Sequence, residues 1–505
     1  MVATQTMTGA VFASLLATAA AAATCEGLSS MALDHSTIDM VQSVAAGQFA
    51  PPAGGGPGGG AILRSLPAFC RVTATLRPVS DSEIKIEVWL PVSGWNGKLQ
   101  SVGNGAWAGS ISYPALAQAL TAGYAAASTD TGHTGNNPKF VPGHPEKVID
   151  FAYRSVHEMT IAAKAIVAAY FGNAPARAYF NGCSTGGRQA LTEAQRFPSD
   201  YDGIVAGAPA YHTTHLQAAQ VWTAQATHQQ EASYIPPAKY AAIHRAVLEA
   251  CDKLDGVRDG VLEDPTRCHF DPAVLACKEG DGPSCLTTAQ VELARKAYAG
   301  PVNPRTGQQV FPGLEPGSEQ GWSTLLGPQP MSYAAEVYQH LVLQDSSWDY
   351  LKFDIDRDVT TAEKKLGALM DATDANLKPF TGRGGKLILY HGWSDPGIPP
   401  LSTVQYYSRA AETLGGAKKA ADSVRLFMVP GMGHCRGGDG TDTFDAMSAL
   451  DQWVVRQKAP DQIPASHGSN GVVDKTRPLC SYPQVAKYKG NGDTNDAVNF
   501  TCKMP

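Results

Sequence analysis

The sequence predicts an α/β protein in which helices cover a mostly parallel sheet and one large segment is inserted between two strands. Three observations point there. Apolar runs of strand length alternate with helical stretches up to about Pro209, and the alternation returns at Lys386. Parallel strands buried on both faces read as short apolar runs of this kind. The intervening segment is rich in Pro, Gly and Cys and lacks the rhythm. Finally, 505 residues exceed what one compact core ordinarily holds, so a second domain is expected.

Composition sets outer bounds. The chain is 43% hydrophobic and 17% charged, as in ordinary globular proteins. A net charge of −6 is small for this length and argues against nucleic acid or an anionic membrane as the partner. Residues 1–24 read as a signal peptide: a small-residue apolar run from Val11 to Ala23 ends in Ala-rich sequence with A-x-A cleavage sites. The usual basic start is missing, because the first Lys or Arg is Arg64, and an Ala-rich low-complexity tail is the alternative reading. No later stretch is long and apolar enough to span a bilayer.

The elements then follow in order. Pro51–Gly60 is a Pro/Gly surface loop. Ile84–Leu90 alternates as a strand, Leu99–Val102 runs into Gly103-Asn104-Gly105, and Tyr124–Ser128 is a further apolar run. Residues 155 to 171 have helical spacing, with Ile161, Ile166 and Val167 on the apolar face. Arg177–Phe180 and Gly203–Ala206 are strands, followed after the insertion by Lys386–Tyr390 and a last strand, Val424–Val429. The helix around Trp453 reads as a buried core helix. These boundaries divide the chain into a core, 25–209 with 376–505, and an inserted lid, 210–375.

Ten cysteines, none in a C-x-x-C metal pattern, predict up to five disulfides and an oxidising, secreted or periplasmic location. Spacing pairs Cys251 with Cys268, Cys277 with Cys285, Cys480 with Cys502, and Cys25 with Cys70.

Gly182-Cys183-Ser184-Thr185-Gly186 is a G-x-S-x-G motif placed after a strand and before a helix, which is the setting of a nucleophile elbow. Asp395 follows the strand Lys386–Tyr390, and His434 sits in a glycine-rich loop after Val424–Val429. Ser, Asp and His thus occur at three strand ends in the order of an α/β-hydrolase fold. Singly, Asp395 reads as a turn aspartate and His434 as a loop histidine; together they read as a triad. Cys183 precedes the serine and Cys435 follows the histidine, so a triad within hydrogen-bond reach also brings these cysteines within bridging distance.

With these motifs, and with Tyr201–Pro209, Tyr390–Asp395, Pro430–Cys435 and Arg477–Cys480, the chain from about Cys25 to Cys502 resembles the tannase and fungal-type feruloyl esterase family, which also contains a mono(hydroxyethyl) terephthalate hydrolase. The resemblance implies an α/β-hydrolase fold with a large inserted lid domain. It also implies a Cys183–Cys435 disulfide at the active site, and an oxyanion hole formed by the N–H groups of Thr185 and Ala106. The mechanism expected is attack by Ser184, with His434 as base and Asp395 orienting it, through an acyl-enzyme.

Cys251 to Val261 carries closely spaced carboxylates and glycines. From the residues alone this is either an acidic turn or a site for a hard cation; its spacing is not that of an EF-hand. The resemblance implies a structural Ca²⁺ held by the side chains of Asp252, Asp255 and Asp259 and the carbonyls of Val257 and Val261. The substrate it implies is a small aromatic ester, free or carried on a plant polysaccharide or polyphenol: a feruloyl ester first, a gallate or terephthalate monoester otherwise. The segment near Trp322–Leu343 shows no counterpart of the arginine-bearing stretch of the terephthalate enzyme, which counts against the terephthalate reading. A non-catalytic binding protein on a hydrolase scaffold would usually lack a triad member, and none is lacking here. A peptidase would share the same triad.

Overall fold

The computed structural model describes residues 22–52, 60–469 and 471–505. Nearly all of the expected signal segment and most of the Pro51–Gly60 loop lie outside the described residues.

The core is a nine-stranded sheet. Its members are β1 (Ser36–Val44), β2 (Phe69–Leu76), β3 (Ile84–Pro91), β4 (Lys98–Val102), β6 (Ala125–Thr129), β8 (Arg177–Cys183), β9 (Gly203–Gly207), β10 (Lys386–Gly392) and β11 (Val424–Val429); β5 (Ala108–Gly109) and β7 (Gly135–Asn136) form a separate short ribbon. The strand order is β1-β2-β3-β6-β4-β8-β9-β10-β11. The pairings from β1 through β3 to β6 are antiparallel, and every pairing from β6 to β11 is parallel. The parallel half carries the loops that matter, because its strands all end on one side of the sheet.

Alternation along each strand feeds two cores. Phe180, Ile204, Leu387 and Leu426 pack on one face with the helix Ser155–Phe171, whereas Tyr179, Val205, Ile388 and Phe427 pack on the other with the helix Ala446–Arg456. In Ser155–Phe171 the buried stripe is Val156, Met159, Ala163, Ile166 and Val167. Ile161 does not belong to it: its side chain is 51% exposed. At the helical period, position 161 lies on the solvent side of a stripe already filled by its neighbours.

Val424–Val429 is the last strand of the main sheet but not of the chain. β12 (Thr443–Phe444), β13 (Gln462–Ser469) and β14 (Val472–Cys480) form one antiparallel sheet, and β15 (Val485–Tyr488) and β16 (Phe500–Lys503) a second. These strands have little apolar sequence; Val472 and Val473 are exposed, and the Cys480–Cys502 bridge ties β14 to β16. Cross-linking and backbone pairing hold what burial does not.

Between β9 and β10 lies a helical region that includes Thr213–His228, Tyr240–Cys251, Thr288–Ala299 and Ile355–Ala362. It has an apolar cluster of its own around Trp322, Leu293 and Ile243, and a second cluster, around Tyr338 and Val221, that also takes in Trp107 and Phe151 from the core. This inserted region therefore packs directly on the loop after β4.

Trp453 is 1% exposed and sits under β9 and β10. Trp453→Ala is expected to lower unfolding free energy by about 3–5 kcal/mol in denaturant titration; a change near zero would place this residue at a surface instead.

Candidate active site

Ser184 occupies the turn between β8 and the helix Thr185–Arg196, with φ 64° and ψ −122°. A non-glycine residue in that region is strained, and the surrounding bonds hold it there. Its N–H donates to the Gly207 carbonyl at 3.0 Å, and its own carbonyl accepts from the Ala210 N–H at 3.1 Å. The flanking glycines are needed for space. A Cβ on Gly182 would lie 2.5 Å from the Gly186 carbonyl oxygen, and one on Gly187 would lie 2.3 Å from that of Gly207.

Asp395, in the loop after β10, is fully buried. Its Oδ1 accepts from the N–H groups of Gly397 at 2.8 Å and Ile398 at 2.9 Å. Its Oδ2 lies 2.6 Å from His434 Nδ1 and 3.0 Å from His391 Nε2. Burial alone would raise this carboxyl. The charge of His434 and hydrogen bonds from His391 and His434 outweigh it and hold the group well below the usual carboxylate range. His434 moves the other way: burial pulls its imidazole down, but the Asp395 charge and hydrogen bond leave it above its ordinary value.

The Cys183–Cys435 disulfide joins the elbow to the histidine loop, with Cα atoms 6.1 Å apart. The pairings Cys25–Cys70, Cys251–Cys268, Cys277–Cys285 and Cys480–Cys502 are present as well. Ser184 and His434 line one cavity of about 220 Å³. Among the described residues no hydrogen bond joins their side chains. Free hydrolases often close that contact only around substrate.

Thr185 and Ala106 line the same cavity. Thr185 opens its helix, so its N–H has no partner within the helix. Ala106 has φ 45°, and its carbonyl accepts from Thr185 Oγ1 at 2.7 Å, which fastens the loop after β4 to the elbow. That loop approaches closely because a Cβ on Gly103 would lie 2.6 Å from Gly186 Cα. Two N–H groups flanking a nucleophile suit a developing oxyanion.

The rest of the cavity is made by the region inserted between β9 and β10 and by the loop after Asp395. Leu216, Gln217 and Gln220 come from one helix, Met331 and Tyr333 from further along, and Pro396 and Ile398 from the loop. Among the described residues lining it there is no Lys, Arg, Asp or Glu. Volumes of roughly 150 Å³ admit benzene, so this one takes an aromatic ring with a short arm.

The model of the tannase and feruloyl esterase family matches residues 70–503. The chain belongs to this family. The esterase is 40% identical to an uncharacterized esterase of Xanthomonas campestris pv. campestris, over 98% of this chain and 93% of the relative. It is 36% identical to a mono(2-hydroxyethyl) terephthalate hydrolase of Piscinibacter sakaiensis, over 88% and 86%. Feruloyl esterase B from Aspergillus oryzae superposes with a TM-score of 0.88 at 30% identity, covering 95% of this chain and 99% of that one. The fold is that of an α/β-hydrolase, and the protein is a carboxylic ester hydrolase.

The acidic lid loop lies apart from this cavity, closed by Cys251–Cys268. Asp252 Oδ1 is buried without a hydrogen-bond partner. Burial pushes the Asp255 carboxyl up to about 6, with the charges of Asp259 and Asp252 adding to the rise against hydrogen bonds from the backbone. A cavity of about 20 Å³ touches Asp255, Val257, Asp259 and Val261. Glu263, Lys475 and Arg477 line the same void, and Asp252, whose Oδ1 is the orphaned oxygen, does not. Arg477 competes for Asp259, with which it pairs, and Lys475 stands 4.0 Å from the same oxygen.

Sequence reasoning did not identify His391, Gln217, Gln220 or Tyr333. The first stands four residues before Asp395 in the quoted loop motif; the others carry no local signal.

Two outcomes follow from this geometry. The base must be neutral to accept a proton, and its pKa is raised, so kcat/KM should rise with pH through an apparent pKa above about 6.5; an acid limb below that value would contradict the Asp395 contact. Replacing Cys183 and Cys435 together by alanine should lower both kcat and stability, the latter by at most about 5 kcal/mol for so long a loop, measured by steady-state kinetics and denaturant unfolding.

Proposed function

We propose that this esterase hydrolyses esters of uncharged, hydroxylated aromatic acids, feruloyl esters first, through an acyl-enzyme on Ser184. Ser184 attacks the ester carbonyl while His434 Nε2 takes its proton. Asp395 fixes the imidazole through Nδ1 and balances its charge once it is protonated. The N–H groups of Thr185 and Ala106 receive the oxyanion, each donor contributing about 3–4 kcal/mol of transition-state stabilisation. The protonated His434 then gives its proton to the leaving alcohol. Water, deprotonated by the same histidine, releases the acid.

The observation that carries the substrate reading is the uncharged cavity. A terephthalate monoester brings a free carboxylate, which would be desolvated there without a cation. A phenol or methoxyphenol ring brings only neutral groups, and Gln217, Gln220 and Tyr333 offer polar partners along an otherwise apolar wall. The region 210–375 serves in this reading as the lid domain that closes the ring in. The ester is presented on a plant polysaccharide or polyphenol, which places the enzyme outside the cytoplasm. Five disulfides among the described residues support that location, and no described helix is long and apolar enough to cross a membrane.

Asp252, Asp255 and Asp259, with the carbonyls of Val257 and Val261, would hold a structural Ca²⁺. The ion would neutralise the mutual repulsion of these carboxylates and brace the loop.

Methyl ferulate, methyl gallate and mono(2-hydroxyethyl) terephthalate distinguish the readings. The ferulate is expected to give the highest kcat/KM, and the terephthalate ester a value at least about tenfold lower; preference for the terephthalate ester would refute the uncharged-cavity reading. Ser184→Ala should lose about a thousandfold or more in kcat while remaining folded. Chelation should lower Tm, with added Ca²⁺ restoring it. An unchanged Tm would remove the ion from the account.

A further inference from the structure

The carboxylate of Asp395 faces two imidazoles, and only one of them can reach the nucleophile. His391, at the end of β10, is wholly buried. Its Nε2 lies 3.0 Å from Asp395 Oδ2 and 3.0 Å from the Ile398 carbonyl oxygen. Ile398 O only accepts, and so does an ionised carboxylate, so Nε2 must carry the hydrogen. On the other side of the ring, Nδ1 lies 2.7 Å from Thr403 Oγ1, and Thr403 is wholly buried too. A threonine hydroxyl can donate or accept, so this contact decides the charge of the ring.

We propose that His391 is a positioning residue for ester hydrolysis: a neutral imidazole, with its tautomer fixed by a hydrogen bond donated from Thr403, that holds Asp395 in the orientation His434 requires. The carboxylate then has four donors for its four lone-pair sites. Gly397 and Ile398 N–H groups fill Oδ1, and His434 and His391 fill Oδ2. So held, Asp395 has no free rotation about its last bond. The charge balance points the same way. A single buried carboxylate balances one imidazolium well and two poorly. A standing cation at His391 would neutralise Asp395 before His434 took the proton of Ser184, and would weaken the base. A neutral donor orients the carboxylate and leaves its charge for His434. The titratable groups facing this cluster are Asp395 on the same loop, His434 on the loop after β11, and Tyr333 from the lid, whose phenol burial, with the Asp395 charge adding, pushes up to about 12.

The proposal rests on the triad assignment and not on which aromatic acid is bound. Its test therefore uses p-nitrophenyl acetate, with Ser184→Ala run in parallel to check the triad itself. His391→Leu is expected to lower kcat about tenfold or more with little change in KM, because the loss falls on the base and not on substrate contacts. His391→Gln, whose amide N–H reaches the place of Nε2, should recover most of that loss and leave the acid limb of kcat/KM where it is in the wild type. Wild-type kcat in His391→Leu would overturn the positioning role. An acid limb raised by about one unit or more in His391→Gln would show that a cation had been removed, and would overturn the neutral assignment. If His391→Leu does not fold, Thr403→Val replaces it, with a severalfold loss of kcat expected and wild-type kcat contradicting the proposal. Independently of any substrate, ¹⁵N NMR of histidine-labelled wild-type enzyme should show His391 as the neutral Nε2–H tautomer near pH 7; an imidazolium or an Nδ1–H tautomer would refute it even where Ser184→Ala retains activity.

Discussion

Cys183 and Cys435 stand 252 positions apart in sequence and are joined by a covalent bond, one against Ser184 and the other against His434. The rest of the site depends on that tie. Parallel strands bring their ends to one edge of the sheet, but loops after strand ends are the parts of an α/β fold freest to move. The disulfide, with the backbone bonds from Ser184 to Gly207 and Ala210, removes that freedom at the elbow. Once it is fixed, each remaining group has one place to stand. Thr185 begins the helix, Ala106 is fastened to Thr185, and Asp395 reaches His434 from the neighbouring strand end.

The electrostatics follow from the same packing. Burial by itself would raise the Asp395 carboxyl and lower the His434 imidazole. The charge of His434, with the hydrogen bonds from His391 and His434, reverses the first effect, and the Asp395 carboxylate reverses the second. Among the described residues lining the cavity in front of them there is no Lys, Arg, Asp or Glu, so the strongest field a bound ester meets is that of Asp395, His434 and the N–H groups beside Ser184. An uncharged aromatic acid loses little hydration on entering such a space, whereas a charged one loses much.

Ser184, Asp395 and His434 were legible as a group because each lies in a local pattern: a G-x-S-x-G turn, a strand followed by Asp395, and a glycine loop ending in His434. Adjacent cysteines made the two distant loops legible as a pair. Seven of the nine core strands were legible because their buried faces demand apolar runs; β1 and β2 were not read, since β1 buries little and β2 interleaves Arg71 and two threonines with its apolar residues. The same rule missed β13 and β14, whose sequences QIPASHGS and VVDKTRPLC lack a long apolar run: β13 is mostly exposed or half-buried, β14 is buried only from Arg477 to Cys480, and pairing and Cys480–Cys502 hold them. It also misplaced Ile161, since an apolar residue on a helix is not obliged to face inward. His391, Gln217 and Gln220 owe their meaning to neighbours distant in sequence or across a loop, and no spacing rule reveals such neighbours. At the acidic loop, the sequence shows the carboxylates, while only the folded chain shows that Arg477 shares Asp259 and that Asp252 keeps an orphaned oxygen.

The most direct measurement of the account is covalent labelling by an organophosphate ester that traps serine nucleophiles, read by peptide mass spectrometry. The account predicts one phosphoryl group per chain, on the peptide that contains Ser184, with activity lost in proportion to the label and labelling slowed when His434 is replaced by alanine. Inactivation without a label on Ser184, or a stoichiometric label on another residue, would contradict it.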